Sequence, residues 1–165
     1  MNLFRTAALL AMLAVTLSAR GAAQEENARP EASEEAHRYR NKVSGFTGVT
    51  LEGEEAAAFT LGIGYQRRLG GPFSVGVLAE RAFGESRFFL AAAGLAWQPL
   101  RRVSLYVAPG IEVSGADNET FFLLRIGANY DVELTERWSI GPNVDADFVD
   151  GRTVWVLGAE VGYSF

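Results

Sequence analysis

Residues 153–165 read TVWVLGAEVGYSF, and their alternation divides the segment into two unlike faces. Trp155, Leu157, Val161, Tyr163 and Phe165 fall on one side, and Val154, Val156, Gly158, Glu160 and Gly162 on the other. Period-two alternation marks a strand whose two faces meet different surroundings. Chain ends usually fray and are polar; this segment keeps its pattern up to a final phenylalanine.

The same alternation recurs upstream, in Ser44–Glu52, Ala57–Gln66, Phe73–Arg81, Arg87–Gln98, Val103–Ser114, Thr120–Leu134 and Trp138–Val149, with Thr153–Phe165 as the eighth segment. The connections "EGEEA", "RRLGGP", "AFGES", "PLRR", "GADNE", "TER" and "DGR" are largely hairpin chemistry, rich in Gly, Pro, Asn and Asp. Eight strands joined in this way predict an antiparallel meander, and an even count lets it close on itself.

The glycines say which face points where. One face carries Phe59, Leu61, Ile63 and Tyr65 in the second segment and Phe122, Leu124 and Ile126 in the sixth. The other carries Glu80, Glu112, Arg125, Asn129, Asp145 and Asp147, together with nearly all strand glycines. An eight-stranded barrel is only just wide enough inside for side chains, so long polar residues there need small neighbours. Glycine on the outer face would weaken the strands without return. The apolar face is therefore expected to point outward, into lipid.

Two aromatic rings agree with that orientation. Tyr65, Phe73, Trp97, Tyr130, Trp138 and Tyr163 lie near the tight turns or the C-terminus, and Phe59, Phe89, Phe122, Phe148 and Trp155 near the opposite strand ends. Slipping each strand by one residue would put Arg125 in hydrocarbon, at about 2–4 kcal/mol near the midplane. The fold class expected is thus all-β, an eight-stranded antiparallel up-and-down transmembrane β-barrel. A secreted soluble barrel of the lipocalin or streptavidin type, apolar face inward, is the alternative; it requires polar outer rims in place of aromatic ones. Pro109 and Pro142 occupy outward positions in strands without a free edge, which predicts bulges there or later strand starts.

The N-terminus, MNLFRTAALLAMLAVTLSARGAAQEE, places Arg5 before an apolar run too short for a spanning helix, with Gly21 and Ala23 at signal-peptidase spacing. Residues 1–23 are read as a signal peptide. Its removal takes away Arg5 and Arg20, so the 15 basic residues become 13 against 20 acidic ones, a net charge of −7. That balance opposes nucleic-acid binding. The chain has no cysteine, so neither a disulfide framework nor thiolate chemistry is available. Residues 24–43 are polar and of mixed charge and are read as a flexible periplasmic arm, leaving 44–165 as the barrel. The lone histidine, His37, falls in the arm and is read as solvent-exposed.

Tyr163 and Phe165 resemble the C-terminal signal of bacterial outer-membrane barrels, a final Phe two residues after another aromatic. In that signal's glycine position this chain has Glu160, flanked by Gly158 and Gly162. By strand count and size, region 44–165 resembles the small eight-stranded barrels of the outer membrane protein A transmembrane domain and outer membrane protein X kind. The resemblance implies residence in the outer membrane of a Gram-negative cell, with both termini periplasmic. It implies outer-membrane lipid as surroundings and, during biogenesis, barrel assembly machinery and periplasmic chaperones as partners. The barrel is expected to be a monomer.

Some small barrels of this size are enzymes acting on lipid A or phospholipids, and they use histidine with serine or a carboxylate. Region 44–165 has no histidine, so no such pair can be assembled. Asp145 and Asp147 share one side of a strand, as do Asp131 and Glu133, but solvated rim or lumen carboxylates account for both pairs. No catalytic, metal or cofactor site is expected.

Arg125 is the one basic residue placed well inside, and a buried charge must be paired and hydrogen-bonded. An ion-pair network of Arg125 with Glu112, Glu80, Asp145 and Glu160 is therefore expected to plug the lumen. Toward the outer loops Leu78, Leu90, Leu123, Val154 and Val156 point inward, with Phe46, Phe88 and Phe121. They are read as a hydrophobic plug, or alternatively as a site for a hydrophobic small molecule like that of barrels resembling outer membrane protein W. The function expected is a non-enzymatic structural barrel serving envelope integrity. The alternatives are a narrow pore or small-molecule transporter, the soluble binding barrel above, and an interaction protein acting through the arm.

Overall fold

The computed structural model describes residues 39–53, 56–84, 87–114 and 119–165. They form β1 Asn41–Glu52, β2 Ala56–Gly70, β3 Phe73–Phe83, β4 Phe88–Leu100, β5 Val103–Ser114, β6 Thr120–Tyr130, β7 Val132–Glu133, β8 Trp138–Val149 and β9 Arg152–Ser164. β6 and the two-residue β7 both pair with β8 and share one place in the sheet, which makes eight barrel strands. All pairings are antiparallel between neighbours, and β1 closes on β9 in a ladder from Lys42↔Ser164 to Glu52↔Val154. Closure leaves no open edge.

The strands outrun the alternating segments at several ends. β1 begins at Asn41 rather than Ser44, and β2 runs on to Gly70 because Arg67 and Arg68 still pair with Val75 and Ser74. Asn41–Val43, read from sequence as the end of the arm, therefore belong to the barrel. The signal peptide expected over 1–23, and residues 24–38 of the arm with His37, lie outside the described residues.

Orientation follows from exposure. Ile63 is 70% exposed, Phe122 68% and Ile126 50%, whereas Arg125 is 0%, Asp145 1% and Asp147 1%. The apolar face is outside and the charged face inside, the reverse of a soluble binding barrel. Glycines supply the room: a Cβ on Gly62 would stand 2.6 Å from Cγ of Glu80, and one on Gly127 would collide with Tyr106 and Asp145.

The barrel has two distinct ends. One, here the terminal end, carries Asn41, Phe165 and the turns at 71–72, 101–102 and 134–137. There Trp138 packs on Tyr163 at 5.0 Å between ring centroids, and Tyr163 stacks with Phe165 at 6.3 Å. The other, the loop end, carries Phe59 against Phe83 at 6.3 Å. It also carries the turn at Asp150 and Gly151, whose φ of 46° and 74° are the left-handed pair of a tight type I′ hairpin.

Neither proline creates a bulge. Register shifts occur instead near turns, between Arg68 and Gly70 and between Trp97 and Leu100. Pro109 keeps its partner Leu124, and Pro142 keeps Ala159. Their missing donors are absorbed where ladders already lapse. The β4–β5 ladder resumes in the same register after skipping two positions, Ala93 opposite Pro109 and Gly94 opposite Ala108. The β8 ladder skips from Asn129 to Val132 opposite Pro142.

Candidate functional site in the barrel lumen

Strand alternation aims Glu80 of β3, Arg125 of β6 and Asp145 and Asp147 of β8 at one point inside the barrel. Arg125 lies opposite Asp147 in the β6–β8 register, so these two meet directly. The guanidinium donates from Nε to Asp147 Oδ1 at 2.6 Å and from Nη2 to Oδ2 at 2.7 Å. It donates to Glu80 from Nη1 to Oε1 at 2.5 Å and from Nη2 to Oε2 at 2.8 Å. Asp145 Oδ2 completes the set at 3.4 Å from Nη1. Two bidentate carboxylates on one fork are the geometry that distinguishes arginine from lysine at a buried site.

A neutral relay extends this cluster toward the terminal end. Tyr106 of β5 donates its hydroxyl to Asp145 Oδ1 and accepts from Asn143 Nδ2 at 3.0 Å. Farther down, Lys42 Nζ reaches Asp131 Oδ1 at 2.9 Å and Glu160 Oε1 at 2.9 Å.

Of the residues expected around Arg125, Glu80 and Asp145 are brought to it, and Glu112 and Glu160 are not. Arg125 pairs with Ala108 in the β5–β6 register but Glu112 pairs with Phe121. Four residues of strand, about 13 Å, separate those levels, which an arginine cannot span. Glu112 faces Arg152 at 3.8 Å near the loop end. Glu160 lies opposite Gly141, near the level of Asp131, and so takes Lys42. Asp147 and Lys42 were not among the expected partners. Asp147 was legible from its two-residue offset from Asp145, whereas Lys42 was assigned to the arm.

Toward the loop end the lumen is apolar. Leu90 and Leu123 are fully buried in one cluster with Phe88, Val149, Ala82 and Ala108, and Leu78 and Phe121 pack against it. Val154 and Val156 are buried on β9, outside that cluster. Toward the terminal end lies a partly open cavity of about 110 Å³ that runs from Lys42, Asp131 and Glu160 up to Glu80, Leu78 and Tyr106. Tyr163 and Phe165, the residues of the assembly-signal resemblance, lie outside the lumen. Phe165 exchanges backbone hydrogen bonds with Asn41, at 2.9 Å from its N–H and 3.1 Å to its carbonyl.

No protein-family model matches the chain, and no curated protein is detectably similar in sequence. Solved structures are similar in shape. A de novo designed transmembrane β-barrel matches with a TM-score of 0.54 at 15% identity, over 75% of this chain and 95% of the designed one. Ail, the attachment invasion locus protein of Yersinia pestis, matches with a TM-score of 0.52 at 16% identity, over 76% of this chain and 97% of Ail. The N-terminal β-barrel domain of Pseudomonas aeruginosa OprF matches with a TM-score of 0.54 at 16% identity, over 77% of this chain and 99% of that domain. At these identities the likeness is one of fold, and the fold is that of the small eight-stranded outer-membrane barrels.

Proposed function

We propose that this protein is a non-enzymatic integral barrel of a bacterial outer membrane, closed by its own side chains and serving envelope integrity. The observation that carries the reading is the inverted packing: a belt of exposed Ile63, Phe122 and Ile126 surrounds a fully buried Arg125 with its carboxylates. Water would penalise that belt over the whole barrel, and lipid would not. The absence of histidine and cysteine from residues 44–165 supports the non-enzymatic reading, because it withholds the usual base and thiolate. Membrane lipid is then the main partner. Tyr163 and Phe165 are read as the residues that barrel assembly machinery engages after delivery by periplasmic chaperones, and the barrel works as a monomer.

A second reading, a narrow pore or small-molecule transporter, draws on the terminal-end cavity. Its path stops at Arg125 and at the Leu90–Leu123 cluster, so transport requires both to move. Conductance in planar bilayers separates the readings. The refolded chain is expected to insert, to migrate differently on gels with and without boiling, and to give no discrete current steps. Stable steps from the unaltered protein would favour the pore.

A further inference from the structure

Arg137 lies in the turn between β7 and β8, at the terminal end, directly before the outward Trp138. Its backbone is fixed on both sides. The Arg137 and Trp138 amides both donate to Thr135 Oγ1, at 3.3 and 3.1 Å, and the Arg137 carbonyl accepts from the Ser164 amide at 2.8 Å. The side chain is fixed as well, although it is exposed. Nε donates to the Tyr39 hydroxyl at 3.2 Å, Nη1 donates to the Tyr163 hydroxyl at 3.1 Å, and the guanidinium lies 5.4 Å from the centre of the Tyr39 ring. An exposed arginine has much rotamer freedom to lose; this one is held in a single direction at the rim of the aromatic belt.

The groups that hold Arg137 leave its charge unanswered. Arg125, Arg101 and Arg152 each face a carboxylate, and Lys42 faces two. Arg137 faces two neutral phenols and no carboxylate among the described residues. Of the acids at this end, Glu133 is paired with Arg101, and Asp131 and Glu160 with Lys42. Glu136 and the terminal carboxylate of Phe165 remain, against Arg40, Arg67, Arg68 and Arg102. The described rim is therefore net positive even before Arg137 is counted.

The hydrogen-bonding capacity left over is one-sided too. Each phenol that accepts from Arg137 keeps its own proton to give, and neither proton meets an acceptor among the described residues. Tyr65, elsewhere on the same girdle, donates its proton to Asn41 Oδ1 at 2.8 Å. The Nη2 edge of Arg137 also has no partner among the described residues. Two hydroxyls and one guanidinium edge thus offer only donors, the complement of an oxyanion. Beside them the outward rings of Trp138, Tyr163 and Phe165 pack at 5.0 and 6.3 Å between centroids. Aromatic rings of this kind settle at a membrane–water interface.

We propose that Arg137, Tyr39 and Tyr163 bind the phosphodiester of a phospholipid in the leaflet at the terminal end. The Nη2 edge and the two phenolic O–H groups donate to the phosphate oxygens, and the rings of Trp138, Tyr163 and Phe165 lie against the glycerol and the upper acyl chains. The positive rim selects an anionic headgroup, phosphatidylglycerol, over a zwitterionic one. This rests on the membrane reading above and adds a headgroup site to it.

The test places the refolded full chain in phosphatidylcholine nanodiscs, raises the phosphatidylglycerol fraction, and follows the Arg137 Nε–H and Trp138 indole N–H resonances by NMR. Saturable shifts of both are expected, and inorganic phosphate is expected to produce none. R137Q is expected to weaken the Trp138 response about tenfold, and Y39F, which keeps the ring but not the hydroxyl, about threefold. R137K, which keeps the charge without the held edge, is expected to weaken it about fivefold. R152Q, at the loop end, is expected to leave it unchanged. Should a variant lose its heat-modifiable mobility, the comparison of phosphatidylglycerol with inorganic phosphate on the unaltered chain decides alone. An inserted barrel without saturable shifts would overturn the headgroup site and leave the membrane reading standing. Undiminished binding by R137K would overturn the site as well, since charge alone would then suffice, and so would an equal response to inorganic phosphate. A chain that stays soluble without detergent would overturn both readings together.

Discussion

Arg125 on β6 and Glu80 on β3 are joined across the lumen by two hydrogen bonds of 2.5 and 2.8 Å, although β4 and β5 stand between their strands in the wall. Asp147 holds the same guanidinium from the neighbouring β8. One side chain thus ties separate parts of the barrel wall together through its interior, and its removal leaves carboxylates stranded rather than a simple gap.

Arg125→Met is accordingly expected to destabilise the folded barrel by about 3–5 kcal/mol, because Glu80, Asp145 and Asp147 remain buried without their cation. The combined change Arg125→Met, Glu80→Gln and Asp147→Asn is expected to cost less than the single substitution, since it neutralises two of the three stranded carboxylates and leaves only Asp145. Urea unfolding in detergent or lipid measures both. A triple variant that is weaker than the single one would show that shape, not charge, governs this cluster.

Closure of the lumen has two layers, so opening it needs two changes. Arg125→Ala or Leu123→Ala alone is expected to stay non-conducting, the remaining layer being intact. The double variant is expected to give small current steps selective for cations, because Glu80, Asp145 and Asp147 then line the opening. Anion selectivity in planar bilayers would contradict this assignment of the lining.

The outward belt gives a direct test of the surroundings. Ile126→Arg, in the middle of β6 on the exposed face, is expected to cost about 2–4 kcal/mol when the barrel is refolded into lipid vesicles. Near-neutral behaviour in vesicles would mean that the belt does not lie in hydrocarbon.

Glycine in the lumen is a requirement of space. Gly127→Val would drive its side chain into Tyr106 and Asp145 and is expected to destabilise the barrel by about 1–3 kcal/mol or more. Gly45→Val, where an added Cβ meets nothing within 4 Å, is expected to be tolerated. Parallel unfolding curves for the two variants make the comparison.

Phe165→Ala removes a ring stacked on Tyr163 but keeps the backbone bonds to Asn41. Refolding in detergent is expected to change little, while the amount of assembled barrel in cells falls. An equal loss in both settings would assign Phe165 to stability instead of recognition.

Much of the lumen was legible because period two leaves little freedom: once Arg125 is inside, so are Glu80, Asp145 and Asp147. Which inward residues share a level was not legible. The level of Glu112 depends on the stagger of β5 against β6, and only the paired register shows it beside Phe121 instead of Arg125. Lys42 was hidden for a related reason. Its neighbours in sequence are polar, and nothing local announces that Gln66 and Ser164 will flank it in a closed sheet. The prolines form no bulge because their tolerance depends on where the neighbouring ladders lapse, which no local pattern shows.

By itself the sequence determined the strand count, the inside and outside of each strand, and the charge type of the core, since these follow from alternation and from the place of glycine. Tertiary structure alone decided the partners: Asp147 and Glu80 for Arg125, and Glu160 and Asp131 for Lys42. The physical reason is that a strand's own backbone sets which way each side chain points, whereas the height at which two side chains meet is set by the stagger accumulated around a closed barrel.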